Sequence, residues 1–454
     1  LNLGLRYEVF FPGRFPDPEN QTVSRYLLQG INVATAAEEG IAFPTSSSDC
    51  GCRLDKNNWA PRVGVAWSVT AKTVVRTGAG VFYGEPNSLS TEGSHFRSGL
   101  PRHAEITIQQ NFETTSQLVR NGFPEFRTSG ELPRGASINV FPDFRENLTA
   151  YQWFFDVQRT LPFETLVTVG YIGTKGTFLS TQRNINLPLT PSASIAANQR
   201  LIRPQFSGVL LHENSLNSSY NALTAKVEKR FSRGLTFLSS FTWSKNIDQG
   251  NEELIDGGQG AATPYDLSIE RGLSTLHREF NYVFSGVYEL PFGKGRGYLA
   301  SGPASWLLGG WQVGGLVSLA SGMPVPHTIN VNNQNLGGVV RGNLVRNPNR
   351  PSSERTVDRW FDTEFVVRSA PGVLSNAGRN LIIGPGRRNL DVMVGRDFLL
   401  PVEGHRLQFR FESFNFTNTA NFGPPNAAVG TVNAGRINEA DQPRRIQLAL
   451  KYLF

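Results

Sequence analysis

The chain has 454 residues and a formal net charge of +7 at pH 7, with 46 glycines, 31 phenylalanines and 11 tyrosines but only two methionines. Its basic residues are scattered along the whole length, which argues against nucleic acid as a partner. Two cysteines, Cys50 and Cys52, lack the second pair that a zinc site needs. Such a composition favours strands and turns over helices.

Apolar and polar residues alternate along much of the chain, beginning with Leu1, Leu3 and Leu5 on one parity. The alternation predicts twelve strands, most of them long enough for a tilted strand that crosses a bilayer. The predicted strands cover residues 1–10, 59–69, 73–83, 147–159, 164–173, 220–231, 235–246, 280–290, 308–320, 388–399, 405–417 and 444–454.

One stretch is uncharged for twenty-one residues, 305–325, which is long enough for a membrane helix. It contains five glycines, and Trp311, Val313 and Val317 share a parity. Period two fits this segment better than the helical period of 3.6. We therefore predict a turn followed by a strand.

Short and long connections alternate between the predicted strands. The short ones are 70–72, 160–163, 232–234 and 401–404, together with the longer 291–307. Those on the other side are 11–58, 84–146, 174–219, 247–279, 321–387 and 418–443. Short turns on one side and long loops on the other are typical of an outer-membrane barrel. We predict an all-β fold, a transmembrane antiparallel β-barrel in the cell outer membrane with long extracellular loops, in which 104–110 forms a hairpin or a missed strand pair.

The last strand alternates to its final residue. Ile446, Leu448, Leu450, Tyr452 and Phe454 share one parity. In lipid an unpaired sheet edge is costly, so we expect this strand to pair with the first strand of the complete protein. An alternating last strand that ends in Phe is also what the barrel-assembly machinery of Gram-negative bacteria recognises. These five residues are therefore the predicted assembly signal.

No catalytic motif is present, so we predict that the protein is not an enzyme and has no cofactor or metal site. The six histidines, which we expect at the surface rather than as ligands, are His95, His103, His212, His277, His327 and His405. One long connection carries a cluster of acidic residues, which either binds calcium or forms a solvated face, and we favour the solvated face. The cluster consists of Asp248, Glu252, Glu253 and Asp256. Cys50 and Cys52 are either free or joined in a strained disulfide, and we lean towards oxidation.

Charged ladders follow the lumen-facing parity. Lys226, Glu228 and Arg230 form one, and Gln408, Arg410 and Glu412 form the other. Contact with a plug or a solute would explain them, but we favour cross-strand ion pairs that line a wet interior.

Several stretches resemble the TonB-dependent outer-membrane receptors, specifically the Oar-like type. The resembling stretches are NLGLRYE (2–8), NNWAPRVGVAW (57–67), KTVVRTGAGVFY (72–83), YQWFFDVQRTLP (151–162), VGYIGTKGTFL (169–179), SSYNALTAKVEKRFSRGLTFLSSFTWSKNID (218–248), FSGVYELPFGKGRG (284–297), LLGGWQVGGL (307–316), GPGRRNLDVMVGRDF (384–398), RLQFRFESFNFTNTANFGPP (406–425) and the terminal strand.

The resemblance implies a plug domain and a barrel of about 22 strands. Residues 1–454 would then be one partial outer-membrane β-barrel domain, its C-terminal portion of about 12 strands, without the plug and the N-terminal strands. It also implies TonB-dependent uptake of a large or scarce solute, with the TonB complex contacted through the missing N-terminal region. A passive porin, an export channel and an outer-membrane adhesin remain alternatives.

The long loops are the predicted recognition region, since loops on a rigid wall usually carry binding. The longest include 84–146 and 321–387, which are rich in Asn, Arg, Gly and Pro with interspersed Phe. Such loops suit an extracellular solute, a carbohydrate or a peptide. The alternative is that they shield the pore or contact lipopolysaccharide; outer-membrane lipid is the expected partner of the wall.

Overall fold

The computed structural model describes residues 1–10, 41–42, 55–84, 136–142, 146–204, 206–250, 261–329 and 333–454. Within these residues, one large sheet holds twelve long strands that follow one another in chain order. They are β1 (Asn2–Tyr7), β2 (Trp59–Thr70), β3 (Thr73–Gly84), β4 (Leu148–Leu161), β5 (Thr165–Asn184), β6 (Phe206–Ser232), β7 (Leu235–Asp248), β8 (Phe280–Glu289), β9 (Trp311–Ala320), β10 (Arg387–Leu399), β11 (Arg406–Phe414) and β12 (Arg445–Leu453).

Each of these strands pairs with the next one antiparallel, which confirms the predicted all-β antiparallel wall. The turns between them use left-handed backbone where the chain must reverse in two residues. Arg233 and Gly234 have φ of 53° and 81°, as the central residues of a type I′ hairpin turn do.

The register sorts the side chains into alternating rows across the sheet. One apolar row runs Trp67, Val75, Val157, Val169, Ala225, Phe241, Tyr282 and Leu319. The adjacent row is small or polar and runs Ala66, Arg76, Asp156, Gly170, Thr224, Thr242, Asn281 and Ala320. Because neighbouring residues of a strand point to opposite faces, the wall has one oily face and one wet face.

The connection that was expected as a loop over 174–219 is mostly strand. β5 and β6 continue their pairing beyond the other strands, from Leu179 opposite Leu216 to Asn184 opposite Leu210. This extension carries polar residues on both parities, as in Thr181–Gln182–Arg183. Alternation therefore could not reveal it, because period-two patterning needs one buried face.

The uncharged stretch 305–325 contains a short helix, α1 (Pro303–Leu308), followed by β9. The strand confirms the period-two interpretation, while the helix replaces part of the predicted turn. No helix in the described ranges is long and apolar enough to cross a membrane.

Short elements decorate the wall. Ala136–Pro142 pairs parallel with β6 and antiparallel with Ile41–Ala42, and Gly272–Leu273 pairs with β7. The 3-10 helices of the described residues are Ala197–Gln199, Leu267–Glu270 and Ser352–Glu354. The stretch 104–110, a predicted hairpin or strand pair, lies outside the described residues.

Among the described residues, β1 pairs only with β2 and β12 only with β11, so these two strands form the edges of the sheet. Their apolar side chains are strongly exposed, with Leu3 at 69% and Leu448 at 67%. Pairing of these edges with further strands of a larger barrel stays a prediction.

Candidate functional site

The long connections at one end of the wall fold against one another. We call this layer the loop cap; it comprises the described residues of loop 1 (185–205), loop 2 (249–279), loop 3 (321–386) and loop 4 (415–444). Loops 3 and 4 share an apolar core, and buried polar contacts join the other loops to them.

The core of the loop cap is apolar. Phe361 and Phe365 are 0% exposed and meet edge to face, with ring centroids 6.0 Å apart. Ile382 from the same loop and Val429 from loop 4 join them. Burial of this many large side chains stabilises the loops by roughly 1.5–3 kcal/mol for each side chain removed from water. Loops 3 and 4 therefore form one packed unit.

Three two-residue ladders frame this core. Pro324–Val325 pairs with Ile382–Ile383, and Asn343–Leu344 pairs with Val366–Val367. Thr328–Ile329 pairs parallel with Ala428–Val429 and so connects loop 3 to loop 4. The ladders satisfy backbone groups that the core would otherwise leave unpaired.

A buried ion pair fastens loop 3 to loop 2. Arg341 donates to both carboxylate oxygens of Glu270, at 2.6 and 3.1 Å, and the two side chains are 4% and 3% exposed. Glu270 also accepts a hydrogen bond of 2.8 Å from the backbone N–H of Ala262. Two parallel hydrogen bonds between a guanidinium and a carboxylate fix the orientation of the two side chains as well as their distance.

A second ion pair joins the cap to the wall. Arg379 of loop 3 lies 2.6 Å from Asp248, the last residue of β7, and both side chains are largely buried. The expectation that Asp248 belongs to a solvated acidic face is therefore wrong, because an arginine from a connection 131 residues away covers it. Glu252, Glu253 and Asp256 lie outside the described residues.

Loop 1 and the β5–β6 extension complete the cap. Arg183 pairs with Glu213 at 2.8 Å and donates to the carbonyl of Pro264 in loop 2 at 2.5 Å. Arg200 of loop 1 donates to the carbonyl of Asn335 in loop 3 at 2.6 Å. Every described loop of the cap is thus hydrogen-bonded to at least one other.

The expectation of surface histidines is wrong for two of the six. His277 is 7% exposed and His327 is 1% exposed, because the cap that encloses them comes from residues distant in sequence. Neither ring nitrogen of His327 has a hydrogen-bond partner of good geometry. Burial, together with the positive charge of Arg341, lowers the pKa of His327 to about 4. His95 and His103 lie outside the described residues.

In the part of the chain that the structure describes, no group of three or more His, Cys, Asp or Glu side chains is arranged to hold a metal ion. Cys50 and Cys52 lie outside that part, so their oxidation state stays a prediction.

The polar face of the wall encloses a groove of about 810 Å³, lined by Glu228 of β6 and by Asp391 and Glu412 of β10 and β11. The intervening strands β7, β8 and β9 line it too, so six neighbouring strands surround one concave space. The sheet therefore curves around this face, which is the lumen side of the wall.

Ion pairs on the lumen face run along strands more than across them. Lys226 pairs with Glu228 at 3.2 Å, and Arg410 pairs with Glu412 at 2.5 Å. Across the register Lys226 meets Thr168 and Ser240, which offer no charge. The expectation of cross-strand pairs is wrong for these two, whereas Arg406 does reach Asp397 across the sheet at 3.7 Å.

The predicted assembly residues share one face of β12, as their parity requires. Ile446, Leu448 and Leu450 stand opposite Ser413, Phe411 and Phe409 of β11, and they are 61%, 67% and 66% exposed. Tyr452 and Phe454 continue this face, with ring centroids 5.8 Å apart.

Sequence reasoning missed the residues that organise the cap. Arg341 and Glu270 lie in polar connections, and no local pattern links them across 71 residues. Phe361 and Phe365 carried a weak signal, since two phenylalanines and Trp360 fall within six residues of an otherwise polar loop.

The curved antiparallel wall, with one oily face and loops at one end, defines the class of β-barrel membrane proteins. A family model described as "Outer membrane beta barrel domain" matches residues 1–447. The chain therefore belongs to the outer-membrane β-barrel domain family, a barrel family rather than an enzyme family, and it lies in the outer membrane. No curated protein matches the chain.

Solved structures of similar fold include the ferripyoverdine receptor of Pseudomonas aeruginosa, with 9% identity over 88% of this chain and a TM-score of 0.42. The ferric-catecholate import receptor Fiu of Escherichia coli K12 has 10% identity over 88% of this chain and a TM-score of 0.40. The outer membrane transporter YddB of Escherichia coli has 10% identity over 87% of this chain and a TM-score of 0.44. This chain covers 34%, 36% and 41% of those three chains, respectively.

Proposed function

We propose that the chain is the barrel portion of an outer-membrane receptor for TonB-dependent uptake of a large or scarce extracellular solute, and that the loop cap is its recognition region. The observation that carries the proposal is the cap itself. Loops 3 and 4 share one apolar core, and two buried ion pairs, Arg341–Glu270 and Arg379–Asp248, join loop 3 to loop 2 and to the wall.

Order of this kind favours recognition over mere shielding. A loop that only covers a pore need not hold one conformation, whereas a binding surface gains affinity when its geometry is fixed before the ligand arrives. The Asn, Arg and aromatic residues of loop 3 supply hydrogen bonds and ring faces that suit a carbohydrate or a peptide.

The Oar-like subtype rests on the sequence stretches given above and is part of the same proposal. Under this proposal the complete protein also has a plug, enough further strands to make about 22 in all, and a segment that contacts the TonB complex. Residues 1–454 would then be one partial barrel domain, and lipopolysaccharide and phospholipid would surround its oily face. In this account the protein is a transporter and has no catalytic residues or cofactor.

Electrical conductance separates a gated receptor from a passive porin. The complete protein, with every residue encoded upstream of this chain, should show no steady ion conductance in planar bilayers, because a plug fills the lumen. An open pore of constant conductance would contradict the proposal and support the porin.

Solute capture tests the recognition region. The complete protein should retain a solute from conditioned growth medium, detected by mass spectrometry of the washed complex. Deletion of 336–375 should abolish retention while the barrel keeps its heat-modifiable mobility on gels. If the deletion variant still retains the same solute, loop 3 is not the recognition region.

We also propose that the apolar residues of one parity at the end of the chain are the signal read by the barrel-assembly machinery: Ile446, Leu448, Leu450 and Tyr452 of β12, and Phe454 after it. Phe454→Ser should reduce the fraction of protein that reaches the outer membrane. Lys451→Ser, on the opposite face, is the matched control. Equal insertion of the two variants would reject this role.

A further inference from the structure

The longest connection at the short-turn end of the wall, between β8 and β9, contains the helix α1. Three consecutive large apolar residues of α1 are exposed: Trp306 by 65%, Leu307 by 59% and Leu308 by 48%. A water-facing turn rarely carries such a run, since each of these side chains gains roughly 1.5–3 kcal/mol when it leaves water.

The helix is fastened to the oily side of the wall. Arg396 of β10 lies on the oily face, opposite Trp311 of β9 and Phe409 of β11. Its guanidinium group donates to the carbonyl of Leu307 at 2.5 Å and to the carbonyl of Trp306. The indole N–H of Trp311 donates to the same carbonyl of Leu307 at 3.1 Å.

These contacts explain how an arginine can stand on a lipid-facing row. Arg396 is only 7% exposed, and its charge meets the carbonyl groups that end α1, where the helix dipole is negative. The ring of Phe398 lies 4.2 Å from the guanidinium carbon. Without α1, that charge would stand on the lipid-facing side of the wall without these carbonyl partners.

Aromatic rings continue from α1 along the same face of the wall. Trp306 lies 6.1 Å from Phe398, and Trp311 lies 6.0 Å from Phe409, measured between ring centroids. Such girdles mark the level of the lipid headgroups in outer-membrane barrels. The exposed face of α1 is therefore continuous with the lipid-contacting surface.

We propose that α1 is an interfacial anchor, in which Trp306, Leu307 and Leu308 insert into the headgroup region of the bilayer leaflet at the short-turn end. Arg396 is the positioning residue that holds the helix against the wall. The short-turn rule places this leaflet on the periplasmic side, so its lipids are phospholipids.

A nitroxide label measures the depth of α1 directly. The complete protein, with Cys50→Ser, Cys52→Ser and any upstream cysteine replaced by serine, carries a single labelled cysteine from Leu308→Cys. It is reconstituted in vesicles of phosphatidylethanolamine and phosphatidylglycerol at a ratio of three to one. Lys294→Cys, an exposed site on the same connection, is the matched control.

The label at residue 308 should collide preferentially with lipid-soluble oxygen, and the label at residue 294 with a water-soluble nickel chelate. Equal nickel accessibility at both sites would overturn the anchor. A label at residue 308 that is shielded from both reagents would also overturn it, because α1 would then be covered by protein.

The role of Arg396 has its own readout. Arg396→Gln should shift the label at residue 308 from oxygen towards nickel accessibility, and Arg396→Lys should restore part of the oxygen accessibility. Arg388→Gln, on the same face at the other end of β10, should leave the label unchanged. If Arg396→Gln also leaves the label unchanged, Arg396 does not position the helix.

Discussion

Arg341 and Glu270 form a two-point ion pair, almost completely buried, between loops that are 71 residues apart in sequence. Glu270→Gln keeps the acceptor for Ala262 but leaves the arginine without a counter-charge. Removing one partner of a buried pair costs about 3–5 kcal/mol. We expect faster amide hydrogen exchange over 261–279 and 333–345, with exchange in the wall unchanged.

Arg346 offers a matched control, since its guanidinium lies 3.4 Å from Asp362 but is 55% exposed. An exposed pair contributes about 0–1 kcal/mol, so Arg346→Met should leave exchange in the cap nearly unchanged. The double variant Arg341→Met with Glu270→Leu should recover most of the protection. Equal exchange in Glu270→Gln and Arg346→Met would refute the role of the buried pair.

The loop cap should weaken in acid because of His327. Its pKa is about 4 when folded and 6.5 when exposed, so the neutral ring is favoured in the folded cap. The cap therefore keeps its full stability above pH 6.5 and loses it progressively as the pH falls towards 4, by roughly 3 kcal/mol in all. Denaturant titration of the cap, followed by protease cleavage within loop 3, measures this loss.

His327→Leu should remove most of the pH dependence between 6.5 and 4, since an apolar side chain needs no proton and fits beside Phe365, whose ring lies 4.9 Å away. His405→Leu, at the opposite end of the wall, is the control and should retain the dependence. A pH profile of His327→Leu that matches the unchanged protein would disprove the assignment.

The oily face of the wall contains a close packing of aromatic ring on glycine. Trp153 of β4 stands opposite Gly173 of β5, and a Cβ atom on Gly173 would lie 2.2 Å from the indole ring. Gly173→Ala should therefore destabilise the barrel by about 1–3 kcal/mol, the usual cost of overpacking. The temperature at which the gel mobility shifts should fall.

Gly315→Ala is the control on the same face, because its Cβ would meet nothing closer than 3.8 Å. In the double variant Trp153→Ala with Gly173→Ala, the alanine at 173 should cost little further stability. If Gly173→Ala is as harmless as Gly315→Ala, the indole does not lie over Gly173 in the membrane.

The wall was predictable from sequence, whereas the cap was not. Residues such as Leu223 and Trp243 made their strands recognisable in the sequence, because every second residue of such a strand meets lipid and must be apolar. This requirement shows in each strand's own sequence. Arg341, Glu270 and Phe361 obey no such period, since their partners come from other loops. The extension of β5 and β6 was not predicted for the same reason. Its paired residues, such as Thr181 and Glu213, are polar and do not alternate with lipid-facing apolar residues.

The short helix α1 shows an intermediate case. Its uncharged run was visible in the sequence, and the glycines at 309 and 310 correctly argued against a spanning helix. The role of Arg396 was hidden because an arginine on an apolar parity contradicts the alternation. The approach of the Leu307 and Trp306 carbonyls accounts for it.

The central claim is that parity sorts the wall into a lipid face and a lumen face, and two neighbouring residues of β6 test it most directly. Leu223 lies between Tyr171 and Trp243, whereas Thr224 lies between Gly170 and Thr242. The measurement is the folded fraction of Leu223→Arg and Thr224→Arg in outer membranes, read from heat-modifiable gel mobility. Leu223→Arg should reduce the folded fraction, since a cation on the lipid face is costly in a depth-dependent way, up to about 2–4 kcal/mol at the midplane, while Thr224→Arg should fold. Equal loss in both variants, or a greater loss in Thr224→Arg, would contradict the account.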